Sequence, residues 1–220
     1  MKSIKAILFK EIQSEFRTRY AISTILLFVF TTVMMIVFAT AGTKLDNHVL
    51  ASIYWIIMFF GAMTGLAKSF VSEEERGTYL LLQLNSKPYA VYFGKLIFNI
   101  LLALLINLIA IILALIFYTQ LVIESLGLFI FIIFLSSVAI AAATTIISAL
   151  IAKANSKSAL FPILSFPILL PIIILGINLT DLSFTGASLI DAHKDLQLIF
   201  AYTGLMIVVS YFLFDFVWED

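Results

Sequence analysis

The chain has 220 residues, 63% of them apolar and 12% charged, with a formal net charge of zero. A soluble domain is roughly a quarter charged and somewhat under half apolar, so the solvent for this surface is lipid, and the neutral balance removes any electrostatic case for a nucleic-acid partner. The chain has no cysteine, which excludes disulfides, thiolate metal sites and haem attachment through C-x-x-C-H.

The first twenty residues place Leu8, Ile12, Phe16 and Tyr20 at intervals of four, with Phe9 beside them and Lys5 interrupting the stripe. This spacing predicts a helix lying in the membrane interface. The apolar run that follows is too long for the core of a cleaved signal, and more runs come after it. A span needs about 20 mostly apolar residues at about 1.5 Å each. Six such runs are present, at residues 21–42, 49–70, 96–118, 127–152, 158–178 and 196–217. No repeat or flexible linker divides them, so the prediction is one all-α, six-span domain over residues 1–220. Eleven of the thirteen basic residues fall on one side: Lys2, Lys5, Lys10, Arg17, Arg19, Lys68, Arg76, Lys87, Lys95, Lys153 and Lys157. Only Lys44 and Lys194 fall on the other. The excess of Lys and Arg in cytoplasmic loops then places both termini and the segment 71–95 in the cytoplasm.

Nucleotide-binding and catalytic motifs are missing. GLAKSF offers Lys68-Ser69 without the glycine that a P-loop needs before its lysine, and neither H-E-x-x-H nor G-x-S-x-G occurs. With no metal-ligand cluster and no nucleophile–base pair in the spans, an enzyme working within the bilayer is disfavoured. Asp215 is the clearest ionisable group in a span, near its cytoplasmic end, so an ion-driven pump with mid-membrane carboxylates is also disfavoured.

The polar and small residues inside the spans admit two readings each. Asn99 and Asn107 share a helix face, for interhelical hydrogen bonding or for substrate. Gly61 and Gly65 form a G-x-x-x-G, for packing within the chain or for a dimer face. Pro162, Pro167 and Pro171 predict a bent fifth span, or one that flexes or lines a cavity. His48 and His193 lie in outer loops, as polar loop residues or as ligands to haem iron.

The segment VSEEERGTYLLLQLNSKPYAVYFGK, residues 71–95, is longer than a simple connection needs. A charged loop is usually a solvated turn. TYLLLQL has helical apolar spacing, however, and predicts a short helix with an acidic lead that docks on a partner. On this reading Glu73, Glu74, Glu75, Arg76, Gly77 and Thr78 form a handle for a cytoplasmic motor.

Nearly the whole chain resembles the haem exporter protein B family, the membrane subunit of the cytochrome c maturation ABC transporter. LFKEIQSEFRTRYA resembles its basic lead. AKSFVSEEERGTYLLLQLNSKPYAVYFGK matches its most distinctive segment through Ser69-Phe70, the acidic stretch, Gly77-Thr78, the leucine run, Pro88 and Gly94-Lys95. AKANSKSALFPILSFPILLPIIIL resembles the proline-containing fifth span, and YFLFDFVWED the aromatic, acidic end. Tyr79 and Leu80 depart from the acid that many members place after Gly-Thr.

The resemblance implies a non-catalytic, six-span permease of the ABC-2 exporter type in a bacterial inner membrane. It implies a homodimer paired with a separate ATP-binding subunit, working with a haem-handling C-type subunit and a haem chaperone. Haem is then a transported or handled ligand rather than a bound cofactor. Trp55 and Trp218 stand far apart, unlike the tryptophan-rich haem motif of the C-type subunit. Two alternatives stay open: an ABC-2 permease for a lipid, polysaccharide or drug, and a membrane scaffold that only assembles maturation proteins.

Overall fold

The computed structural model describes residues 2–40, 43–118, 121–152, 154 and 157–219. They form α1 (Lys2–Thr18), α2 (Tyr20–Thr40), α3 (Asn47–Leu66), α4 (Lys68–Glu75), α5 (Tyr79–Asn85), α6 (Pro88–Phe117), α7 (Leu126–Ile151), α8 (Lys157–Phe184) and α9 (His193–Glu219), with no strand among the described residues. Six segments are long and apolar enough to cross a membrane: α2, α3 continued by α4, α6, α7, α8 and α9. Only helices satisfy every backbone polar group within a single segment, which is what lipid demands.

The inner positions go to small residues. α7 packs against α3, α4, α6, α8 and α9, and Ala139, Ala141, Ala142 and Ala143 are all fully buried. Three of its hydroxyls bond back to their own helix: Ser136 to the Ile132 carbonyl at 2.7 Å, Thr144 to Ile140 at 2.7 Å and Thr145 to Ala141 at 2.6 Å. Such bonds hide polar atoms in an apolar interior without a partner helix. α3 lies against α2, α6 and α8. At Gly65 a β-carbon would come within 2.5 Å of Ile25, and at Gly61 within 3.0 Å of Ile106, so both glycines serve close packing of α3 on α2 and α6. Gly176 of α8 sits under the Trp55 ring, whose Nε1 donates to Thr180 Oγ1 at 3.0 Å.

The outward faces are apolar as well. Leu27, Met35, Phe38, Phe200 and Phe216 are all mostly exposed. On a soluble monomer such a surface would be an association site, whereas in lipid it is the solvated face.

The helices do not end where the apolar runs end. α6 begins at Pro88, two turns before the predicted start at residue 96, because proline suits the first helical position, where no backbone donor is needed. α8 continues to Phe184, past the predicted end at residue 178, and runs through Pro162, Pro167 and Pro171. The second predicted span, 49–70, is broken at Ala67 between α3 and α4. There Ser148 of α7 donates to the Ala67 carbonyl at 3.0 Å and accepts from the Phe70 N–H at 2.9 Å, serving the backbone groups that the break exposes.

α1 turns into α2 at Arg19, whose φ of 52° is the left-handed conformation. Glu15 Oε1 accepts from the Ile22 N–H at 2.9 Å and satisfies the first turn of α2. The outer stripe predicted for α1 is not its packed face. Phe9 and Phe16 are about two-thirds exposed, while Ile7 and Glu11 are buried. The helix rolls this way because Gly94 of α6 leaves room for it: a β-carbon there would stand 2.6 Å from Ile7 and 3.3 Å from the Ile4 carbonyl.

Candidate functional site

The polar end of the bundle is built from α1, α4, α5, the first turns of α6 and the last turn of α9. Gly94 admits α1, and Lys95, the next residue, reaches it. The Lys95 side chain is fully buried. Its ammonium donates to Glu11 Oε1 at 2.7 Å, to the Ser69 carbonyl at 2.6 Å and to Glu73 Oε1 at 3.3 Å. Three acceptors meet the three donors of a lysine. The Phe70 ring lies 4.8 Å from the same nitrogen. Lys10 completes the group, pairing with Glu11 at 3.2 Å and with Glu73. Two ammonium groups thus face two carboxylates. Burial works against the Lys10 charge, but Glu11 and Glu73 outweigh it and hold its pKa above the ordinary lysine value. Buried charges persist only where each is paired and hydrogen-bonded.

Glu73 therefore turns inward and joins α4 to α1 and α6. The predicted handle divides at this residue. Glu74 is half-buried, and Glu75, Arg76 and Gly77 are exposed. The glutamates do not lead into α5; they close α4. Gly77 adopts a φ of +66°, its N–H donates to the Glu74 carbonyl at 3.0 Å, and the Thr78 N–H donates to the Glu73 carbonyl at 2.9 Å. The Thr78 hydroxyl donates to Glu73 Oε2 at 2.6 Å. Gly77 and Thr78 end the helix and fix the Glu73 carboxylate. Carboxylates at a helix C-terminus gain nothing from the helix dipole. Glu73 is compensated by two lysines, while Glu74 and Glu75 have no ion pair among the described residues.

α5 stands on two anchors. The Tyr79 ring is buried, 5.2 Å from that of Trp218, and Gln83 Nε2 donates to the Trp218 carbonyl. Trp218 packs on Phe214, and Phe214 on Phe70 and Tyr92. With Tyr79 and Gln83 turned inward, Leu80, Leu81 and Leu84 face out, 67%, 61% and 83% exposed. Lys10, Glu11, Tyr79, Lys95 and Trp218 were not singled out as site residues from sequence. The signal for Glu11 was available: Ile4, Ile7 and Glu11 recur at helical spacing on one face of α1.

The other predicted residues lie elsewhere. Asn107 accepts from the Tyr54 hydroxyl and donates to Ser137 Oγ at 2.8 Å, and Asn99 donates to Thr145 Oγ1 at 2.7 Å, so both bond between helices. Pro162 and Pro171 are half-buried and Pro167 is exposed. His48 and His193 are exposed at the starts of α3 and α9, at the opposite end of the bundle from Lys95. His193 Nδ1 lies 2.6 Å from the Ile190 carbonyl, and the ring borders a cleft of about 700 Å³ with Phe131 and Phe200. No group of three His, Cys, Asp or Glu among the described residues is placed to hold a metal.

The chain matches the family described as CcmB protein over residues 2–217. The comparison with curated proteins gave no match. A match spanning all six membrane segments and the polar end makes the assignment: the chain belongs to the CcmB family, the membrane permease component of the ABC system for haem export in cytochrome c maturation.

Proposed function

We propose that the polar end is the docking site for a separate ATP-binding subunit, with α5 as the contact helix. The observation that carries this reading is the α5 geometry: three exposed leucines on a short helix held from behind by Tyr79 and Gln83. A leucine face directed away from the bundle beside exposed Glu75 and Arg76 suits an apolar protein groove with a polar rim. The Glu73 pairs supply the route for force, because a push on α4 and α5 is shared at once with α1 and α6. The basic residues support a cytoplasmic position for this end and an inner-membrane location. The whole chain then works as one permease domain of the ABC-2 exporter type, with α1 at the interface. Two copies pair with two ATPase copies, alongside the haem-handling C-type subunit and the haem chaperone, to serve haem export or release of the loaded chaperone.

The test uses a host deleted for the chain, scored by haem staining of membrane c-type cytochromes. The wild type is expected to restore staining. The double variant Leu81→Asp, Leu84→Asp, present in the membrane at normal level, is expected to lose both staining and co-purification of the ATPase. Glu74→Lys with Glu75→Lys leaves the buried pairs intact and is expected to weaken both. If the leucine variant retains both readouts, α5 is not the contact. If staining never depends on the chain, export of another substrate becomes the better account.

A further inference from the structure

A cavity of about 280 Å³ opens between α1, α2, α4 and α6 at the same end of the bundle. One residue on its wall carries a buried side-chain oxygen that has no partner among the described residues. Asn99 lines the cavity and is 1% exposed. The Thr145 hydroxyl spends its one proton on the Ala141 carbonyl at 2.6 Å, so it must accept from Asn99 Nδ2, at 2.7 Å. That bond fixes the amide orientation and leaves Asn99 Oδ1 as a buried acceptor with no donor among the described residues. The Ser69 hydroxyl, on the same cavity, is also buried without a partner. Buried polar atoms of this kind call for a ligand or water, and the space exceeds that of a single bridging water.

The mouth is charged on both signs. Lys68 and Arg76 line it and have no carboxylate partner among the described residues: Lys68 lies 4.0 Å over the Tyr20 ring, and Arg76 donates to Ser14 Oγ at 3.3 Å. Glu15 and Glu75 balance them, and Glu11 is already neutralised by Lys95. Phe98 and Leu102 supply an apolar wall toward the spans.

We infer that this cavity is a phospholipid site for a zwitterionic headgroup with N–H donors, of the phosphatidylethanolamine kind. The phosphate sits between Lys68 and Arg76, and the ammonium donates to Asn99 Oδ1 and Ser69 Oγ. The acyl chains leave along the wall of Phe98 and Leu102. A quaternary ammonium carries the same charge but has no N–H, so it leaves the Asn99 acceptor bare, a loss comparable to an unmade buried hydrogen bond. An anionic headgroup leaves Glu15 and Glu75 unbalanced.

The experiment is native mass spectrometry of the full chain in detergent, titrated with phosphatidylethanolamine, phosphatidylcholine and phosphatidylglycerol, and separately with free phosphoethanolamine. The expected result is about tenfold tighter retention of phosphatidylethanolamine than of phosphatidylcholine, the equivalent of one such hydrogen bond. Lys68→Gln is expected to weaken both lipids while keeping their ratio. Asn99→Leu is expected to collapse the ratio, and Ser69→Ala, which breaks no bond of the folded chain, to reduce it. Equal binding of the two zwitterionic lipids, or tightest binding of phosphatidylglycerol, would overturn the inference. So would phosphoethanolamine binding as tightly as the lipid, which would mark a site for a soluble ligand.

Discussion

Two polar clusters are buried in this bundle, and they are solved differently. Midway along the spans the Tyr54–Asn107–Ser137 set uses uncharged groups. At the polar end Lys10, Glu11, Glu73 and Lys95 use four charges. An ion deep in lipid costs several kcal/mol even after local relaxation, whereas an amide or hydroxyl asks only for a partner. Charge is accordingly kept where water can reach one member: Lys10 is 42% exposed while Lys95 is sealed. The ionic group ties α1, α4 and α6 together, the elements that would share a pull under the docking role proposed above.

If that contrast is right, the largest loss comes from breaking the ionic group one-sidedly. Lys95→Met leaves Glu11 and Glu73 facing each other with only Lys10 between them, and should destabilise the chain by about 3–5 kcal/mol. Thermal unfolding in detergent checks this, and adding Glu11→Gln and Glu73→Gln to the same chain should recover a large part of the loss. An unchanged midpoint for Lys95→Met would mean that the group contributes nothing. Asn107→Leu is the matching break at mid-membrane and strands the Tyr54 hydroxyl. Interhelical hydrogen bonds in lipid average about 0.6 kcal/mol and reach about 2 kcal/mol, so its effect should be well below that of Lys95→Met. A loss as large as that of Lys95→Met would erase the distinction between the clusters. The smallest effect is alkaline. The folded pKa of Lys10 is raised, so its contribution is fully present below the ordinary value of 10.5 and is lost as pH rises through the higher folded value. Stability should therefore not vary through Lys10 between pH 7 and pH 9. Above 10.5, Lys10→Met should show a shallower decline than the wild type.

The spans were legible because lipid imposes a length and a composition that few other environments require. Positions 127–152 and α7, Leu126–Ile151, differ by one residue at each end. Helix ends were less legible where the helix outlasts its apolar stretch, as at Pro88 and Phe184, since backbone hydrogen bonding continues wherever side chains allow it. The segment 71–95 stood out by polarity, but polarity does not say which way a side chain points. Glu73, Glu74 and Glu75 are neighbours in sequence and differ by about 100° each around α4, so Glu73 turns inward, Glu74 is half-buried and Glu75 faces out.

What the sequence determined alone is the solvent, the number of spans, the lack of a P-loop motif and the oddness of one polar passage. Each of these follows from local composition. Tertiary structure decided that Glu73 belongs with Lys10 and Lys95, 63 and 22 residues away, and that Tyr79 rests on Trp218 while Leu81 and Leu84 face out. The physical reason is close approach: Gly94 lets α1 lie against α6, and only then do charges far apart in the chain come within hydrogen-bonding distance of one another.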